Sequence, residues 1–506
     1  MRSTLTTCAL LCAAAAPAVF AEDATKKLPP VKALALQKAI SKKALSTKAH
    51  ELEDLAYSTP GRNRVMGSEG HNSTVAWITG YLDEMSDFYT YEVQPFIALY
   101  SDANGTATAD GDELEAEAFE YSPSGDVEAD IVAVDNLGCE ASDYPDEVDG
   151  AIALISRGEC EFGLKTALAG GAGAVAAIIY NNEQGLIGGG TLGPPPRPEG
   201  EYVPVVGVAR RTGNQILNAL EDGAVTGTVT TVSDIHNVTT YNVIAETICG
   251  DHDNVLTLGA HSDSVIDGPG LNDDGSGTIG ILEAAIQLSS YSTNNAVRFC
   301  WWSGEEFGLL GSTHYVETLN DTAGALDKIK LYLNFDMLAS PNYIFATFDG
   351  DGSTFNLTGP PGSAEVETFY RQWFKRRGLN ITATAFDGRS DYQAFADNGI
   401  PCGGLFAGAD ETKTPRLFKK FGGEQGETLD PNYHSALDNY DNLNFDAWVP
   451  IEKALVASIA EYATSFDSLP SAKKVRARGI EDGKLMRRAL EDRPFVRRGH
   501  AKVWKV

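Results

Sequence analysis

VLTLGAHSDSVIDGPGLNDDGSG, residues 255–277, reads as a buried strand ending on a histidine, then a glycine-rich turn, then the start of a helix over 277–291. Its first half is continuously apolar rather than alternating, the pattern of a parallel strand covered on both faces. Two further segments share this layout. AVRFCWWSGEEFG (296–308) is an apolar run closed by Glu305 and Glu306, and KLYLNFDM (330–337) is one closed by Asp336. Open α/β sheets place their ligand sites beyond the carboxyl ends of the strands. Acids and imidazoles appended to strand ends therefore converge although they are far apart in sequence. The fold expected is α/β, with a mixed, mostly parallel central sheet flanked by helices.

The residue types at these ends point to metal chemistry. His261 with Asp263 two residues on offers an imidazole ligand and a carboxylate to orient it. A histidine at a strand end is also a common structural residue, and NDDGSG is a good turn and helix cap as well as a ligand loop. Two adjacent acids directly after a buried strand are costly unless a cation or a proton compensates them. Asp336 after KLYLNF would likewise be costly if unpaired. His434, in DPNYHSALDN, supplies a second imidazole, and the phenol of Tyr433 beside it suits an oxyanion. His261, Asp273, Asp336, Glu306 and His434 make a sufficient set for two metal ions if Asp273 bridges, and of two adjacent glutamates one can bind metal while its neighbour serves as general base. The chain has no HExxH, no GxSxG, no P-loop and no GxGxxG after a strand, which removes the usual serine-hydrolase and nucleotide-binding readings.

Outward from these motifs the texture changes. Residues 46–92 suggest two amphipathic helices. Residues 93–236 are rich in Gly, Ala, Asp and short β-type runs such as GAIALIS and VPVVGVA, and read as a β-rich insert. The α/β pattern returns over 237–466 and closes with an Ala-rich helix at 451–465. Residues 1–21 have the composition of a signal peptide, and 22–45, rich in Lys and Ala, that of a possible pro-segment. Residues 467–506 form a basic tail, with 12 Lys or Arg against 4 Asp or Glu from 471 onward and three dibasic pairs where it could be trimmed. No later apolar run approaches a membrane span of about 20 residues. The route expected is secretion, with a vacuolar lumen as the alternative destination. Sequons at Asn72, Asn104, Asn237, Asn320, Asn356 and Asn380 agree with it.

Of seven cysteines, two fall in the leader. Cys139 and Cys160, bracketing a short loop and strand, form the best pair; Cys300 and Cys402 read as buried thiols, and Cys249 stays open. The net charge of −30 argues against nucleic acid or an acidic membrane as partner.

HSDSV, GPGLNDDGSG, WSGEEFGLLGS, LNFDMLASPN, GRSDYQAFADNGIP and NYHSALDNYDNL together resemble, in order, the motifs of the co-catalytic zinc aminopeptidases that include aminopeptidase Y and the bacterial secreted leucine aminopeptidases, and the arrangement is most similar to the fungal secreted members. NLGCEASDYP and ALISRGECEFGLKTALAGGAGAVAAIIYNN resemble a protease-associated domain. The resemblance implies two zinc ions, one held by His261, Asp273 and Asp336, the other by Asp273, Glu306 and His434. It further implies Glu305 as the base, Asp263 orienting His261, Tyr433 polarising the scissile carbonyl, and a cis bond between Asp273 and Asp274. Some bacterial relatives close the last histidine loop with a disulfide, but Asn432 and Leu437 flank it here. The activity implied is release of N-terminal residues, preferably leucine and other large apolar ones, from peptides with a free amino group, by a monomer. Tyr392 and Phe406 are candidates for the pocket of the first side chain. The alternatives weighed are a two-zinc carboxypeptidase, which needs several arginines where only Arg389 stands, a glutaminyl cyclase, which uses one zinc, and a peptide-binding relative without catalysis.

Overall fold

The computed structural model describes residues 28–470 apart from 183, 184, 188 and 189. The leader and the basic tail read from the sequence lie outside the described residues.

The three apolar runs quoted above are strands: Asp251–His261, Asn295–Trp302 and Ile329–Phe335. Their hydrophobic faces are almost wholly buried, with Trp301, Trp302, Leu256, Leu258, Leu331 and Leu333 inaccessible. They lie side by side with Cys402–Phe406, and these four run parallel in the order Cys402–Phe406, Ile329–Phe335, Asp251–His261, Asn295–Trp302. The register pairs Trp302 with His261 and Phe335 with Leu405, so all four strands end at one edge of the sheet. Beyond Cys402–Phe406, Ala346–Phe348 pairs antiparallel and Thr382–Thr384 then parallel to it. Beyond Asn295–Trp302 the antiparallel strand Thr226–Thr247 continues the mixed sheet.

Helices cover both faces because their apolar stripes need burial. Gly275–Leu288 is buried along nearly its whole length, and Phe445–Tyr462 packs with it in one core. The first starts two residues before its expected position because the Asp274 carboxylate caps it, accepting from the N–H of Gly277 at 2.8 Å. The second starts at Phe445 instead of 451, with Asn444 as its cap and Pro450 inside it. Proline ordinarily marks a helix start or break, which is why the sequence pattern placed the start one residue beyond it.

Within the possible pro-segment over 22–45, residues 28–45 are described and include Ala33–Ala39 and the start of Lys42–Tyr57, both helices packed on the main core. Leu36 and Leu45 are fully buried and Ile40 nearly so, all in the main core. Val31 donates its N–H to Ser292 O at 3.0 Å. Truncating Leu36 or Leu45 to alanine would cost about 2–5 kcal/mol each, so residues 31–45 belong to the folded unit. Their Lys- and Ala-rich composition hid this apolar face.

The insert hangs on two long antiparallel strands, Tyr89–Ala109 and Thr226–Thr247, paired from Tyr89 with Thr247 to Ala109 with Gly227. The boundaries at 93 and 236 thus fall within strands that run through both parts. Inside the insert, Gly125–Ala133, Ile152–Ser156, Ala176–Tyr180 and Val205–Val208 are parallel neighbours, and helices Phe162–Gly171 and Arg210–Asp222 pack against them. Cys139 and Cys160 are joined in a disulfide there. Cys300 and Cys402 are buried thiols and Cys249 is an exposed one. All six sequon asparagines are exposed. No helix among the described residues is long and apolar enough to cross a membrane.

Candidate metal centre

The shared strand edge brings the candidate residues together. Asp273 is the hub: its Oδ1 lies 3.0 Å from His261 Nε2 and its Oδ2 lies 3.1 Å from His434 Nε2. Asp336 Oδ1 approaches His261 Nε2 at 3.8 Å, and Glu306 Oε2 approaches His434 Nε2 at 3.1 Å. The five residues therefore sort into two groups that share one aspartate. Glu305 Oε2 stands 3.9 Å from His261 Nε2, and Asp263 Oδ1 lies 3.6 Å from His261 Nδ1, on the far side of the ring. Asp263 also accepts the Glu305 N–H at 3.3 Å, so one carboxylate braces two members of the site. The Tyr433 ring stacks on His434 with 3.8 Å between centroids.

The backbone around these groups is unusual. The peptide bond between Asp273 and Asp274 is cis, and both His434 and Met337, which follows Asp336, adopt left-handed conformations with φ of 54° and 56°. Non-glycine residues rarely hold such angles unless their surroundings over-determine them. Here the surroundings do. Asp274 accepts from the N–H groups of His261 (3.1 Å), Gly277 (2.8 Å) and Met337 (3.1 Å), so it ties two strand ends to a helix start. Asp438 accepts from the N–H groups of Asn272 (2.9 Å) and Asp273 (3.0 Å). Arg64, fully buried, donates to the carbonyls of Ser262, Pro269 and Gly270. Ser390 donates to Asp336 Oδ2 at 2.5 Å.

Sequence reasoning gave no role to Asp274 as a brace, nor to Arg64, Ser390 or Asp438. Asp274, Ser390 and Asp438 lie inside motifs already quoted, so position was available but purpose was not. Arg64, in GRNRVMGS, carried no signal, because its partners are main-chain carbonyls 198 to 206 residues away.

The electrostatics ask for a cation. Burial pushes the Glu305 carboxyl well above its ordinary range, Glu306, Asp391 and Asp336 push it further, and His261 opposes them. Burial likewise raises Asp336 to about 6 and Asp391 to about 7. Burial opposes ionisation of Asp273, but hydrogen bonds from both histidines hold its carboxyl well below the usual range. So many acids, all buried except the partly exposed Asp336, cannot all ionise without compensating positive charge. Mixed imidazole and carboxylate donors suit a borderline divalent ion such as zinc. One oxygen or nitrogen from each of His261, Asp273 and Glu306 falls within a 4.8 Å span, as it does for His261, Asp274 and Asp336. The residues present therefore fit a divalent metal ion.

Two cavities open on this centre. A small one of about 60 Å³ touches Asp273, Glu305 and Asp336, and its walls include Met337, Phe348, Thr384, Tyr392, Phe406 and Tyr433. Both aromatics expected of a pocket, Tyr392 and Phe406, line it. The other, about 370 Å³, lies between the insert and the peptide loop 265–267 and reaches Glu306, Phe307 and His434.

The chain matches a model of peptidase family M28 over residues 242–459 and a PA domain model over residues 127–216. It is 44% identical to leucine aminopeptidase 2 of Arthroderma otae over 483 residues, 95% of this chain and 96% of that one. It is 47% identical to a probable leucine aminopeptidase 2 of Aspergillus fumigatus over 422 residues, 83% of each. Among solved structures, an aminopeptidase from Aneurinibacillus sp. strain AM-1 superposes with a TM-score of 0.72 at 26% identity, covering 87% of this chain and 98% of that one. A zinc aminopeptidase from Bacillus subtilis shares the fold at a TM-score of 0.59 and 23% identity, covering 87% of this chain and 99% of its own.

Proposed function

This chain belongs to peptidase family M28 and is an aminopeptidase, and on that premise we propose that it is a secreted, two-zinc enzyme that removes leucine and other large apolar residues from peptide N-termini. The observation that carries the metal part is Asp273, whose two oxygens face two different histidines at 3.0 and 3.1 Å. One zinc would be held by His261, Asp273 and Asp336, and the other by Asp273, Glu306 and His434. Bound there, the pair would supply Lewis-acid polarisation of the scissile carbonyl and acidify the attacking water.

The chain's own groups do the rest. Glu305 reaches the same small cavity as Asp273 and Asp336, and its environment favours proton uptake. It takes the proton from water and passes it to the leaving amine. Burial keeps the Tyr433 phenol protonated, its pKa raised well above ordinary, so the hydroxyl remains a donor for the oxyanion. Asp263 holds the His261 ring from behind. The small cavity, with Phe348 and Phe406 in its walls, receives the first side chain, and the acids at its mouth receive the amino group. Arg389 also lines it, but donates to Asp410 Oδ1 at 3.0 Å and is thereby neutralised as an anchor for a substrate carboxylate. This favours an aminopeptidase over a carboxypeptidase. The leaving chain departs through the larger cavity beneath the insert.

Cleavage of leucine-para-nitroanilide beside its N-acetylated form, by the purified chain, tests this reading. We expect only the free-amine substrate to be cleaved, activity to vanish on chelation, and two equivalents of zinc to restore it. Cleavage of the acetylated form, or full activity in the metal-free protein, would sink it.

A further inference from the structure

A second cluster of oxygen donors stands apart from the metal centre, in the sequence FDGDGSTF at 348–355. Asp349 is fully buried. Its Oδ2 accepts the N–H groups of Thr354 at 2.9 Å and Phe355 at 2.8 Å, whereas its Oδ1 is buried with no hydrogen-bond partner. Leaving a carboxylate oxygen so placed is costly unless something positive completes it. Asp351, two residues on, is exposed, and its Oδ1 accepts from Ser353 N–H at 2.9 Å. From the helix Ser363–Lys375, Glu367 reaches the same point at 4% exposure, its Oε2 accepting from Asp351 N–H at 3.3 Å. One oxygen from each of the three acids lies within 4.8 Å of the others. Arg371 pairs with Glu367 Oε1 at 2.5 Å, so three carboxylates and one guanidinium leave a charge of about −2 here, that of the counter-ion to one divalent cation.

We propose that Asp349, Asp351 and Glu367 form a calcium site. All donors are oxygens, with neither imidazole nor thiolate, which selects a hard cation. Asp349, Asp351 and Ser353 occupy alternate positions, as the first three ligands of a calcium-binding loop do, and Gly352 with φ of 69° makes the turn. In such loops the twelfth position supplies a closing glutamate; here that position is Pro360, and Glu367 comes in its place from the following helix.

The ion would brace the substrate pocket. Phe348, which precedes Asp349, and Thr384, whose carbonyl accepts the Asp349 N–H at 2.8 Å, both line the small cavity. Binding itself is independent of the aminopeptidase reading; only this effect on the pocket rests on it.

Equilibrium dialysis of radioactive calcium against the full, zinc-loaded chain tests the site, with calcium alone as probe. We expect one ion per chain with Kd of about 10⁻⁴ to 10⁻³ M, as in extracellular modules. Asp349→Asn and Asp351→Asn should each weaken binding at least about tenfold. Because Asp351 is exposed, its variant folds even if the Asp349 variant does not. Calcium at about 10 mM should raise the Tm of the parent by about 2–4 °C and that of Asp351→Asn by about half as much or less. No saturable binding to the parent, or binding indifferent to Asp351→Asn, would overturn the proposal.

Discussion

The two cavities that meet at the metal centre are built from different materials. The small one belongs wholly to the peptidase sheet and the loops beyond its strand ends, and Met337, Phe348, Tyr392 and Phe406 supply its apolar wall. The large one is shared: strand residues 101–105 and residues 116–118, 120 and 190 of the insert face the loop 265–267 and Phe307. Its charged lining is acidic, with Asp102, Glu117, Glu120 and Asp267 beside Glu306. Burial raises the Asp102 carboxyl above its usual range, and Asp267 and Asp234 add to the effect, as expected where like charges crowd. Apolar side chains such as those in the wall of the small cavity select by fit, whereas the acidic lining of the larger one selects by charge. On the proposed reading, the first residue of a substrate and the chain behind it are read by different parts of the molecule.

Removing the proposed base, which lines the small cavity, should have the largest effect. Glu305→Gln keeps size and hydrogen-bonding capacity but abolishes proton transfer. We expect kcat to fall by about 10²- to 10⁴-fold for every substrate while bound zinc stays at the parental level. Equal activity in parent and variant would remove Glu305 from the chemistry.

An intermediate effect should separate the two cavities. Phe406→Ala enlarges the small pocket alone, so kcat/KM for leucine over alanine as first residue should drop by about 10- to 100-fold. Rates for peptides differing only from the second residue onward should keep their order. A change confined to those later positions would assign Phe406 to the wrong cavity.

The smallest effect sharpens the other side. Peptides Leu-Lys-Ala and Leu-Glu-Ala share a first residue, and the acidic lining should favour the former by a few-fold at low salt, on the order of 1 kcal/mol or less. Asp102→Asn combined with Asp267→Asn should erase most of that preference, as should salt at about 1 M, where screening acts over about 3 Å. An unchanged preference in the double variant would mean that the leaving chain does not pass beneath the insert.

Much of the site was legible because its ligands are tied to strand ends. A buried apolar run marks where a parallel strand stops, and an acid or imidazole at that point has little else to do. His261, Glu305, Glu306 and Asp336 stood out as candidates on that ground, and Asp273 from its glycine-rich loop, although a strand-end histidine and a glycine-rich turn also have structural uses. The supports were not. Arg64 holds three carbonyls and Asp438 two amides through contacts that cross more than 160 residues, and nothing local distinguishes such residues from surface charges. The helix Ala33–Ala39 was hidden for the same reason, since a Lys- and Ala-rich composition reveals its buried stripe only once a partner face exists.

By itself, then, the amino-acid order determined the α/β sheet, the insert and which acids and imidazoles were candidates for the site, because strand periodicity and the chemistry of a side chain are local properties. The tertiary structure alone decided which oxygens of Asp273 face which histidine, which acids crowd enough to need a cation, and which domain walls each cavity. Those depend on register, burial and distance between segments, quantities that come into being only when the strands are laid side by side.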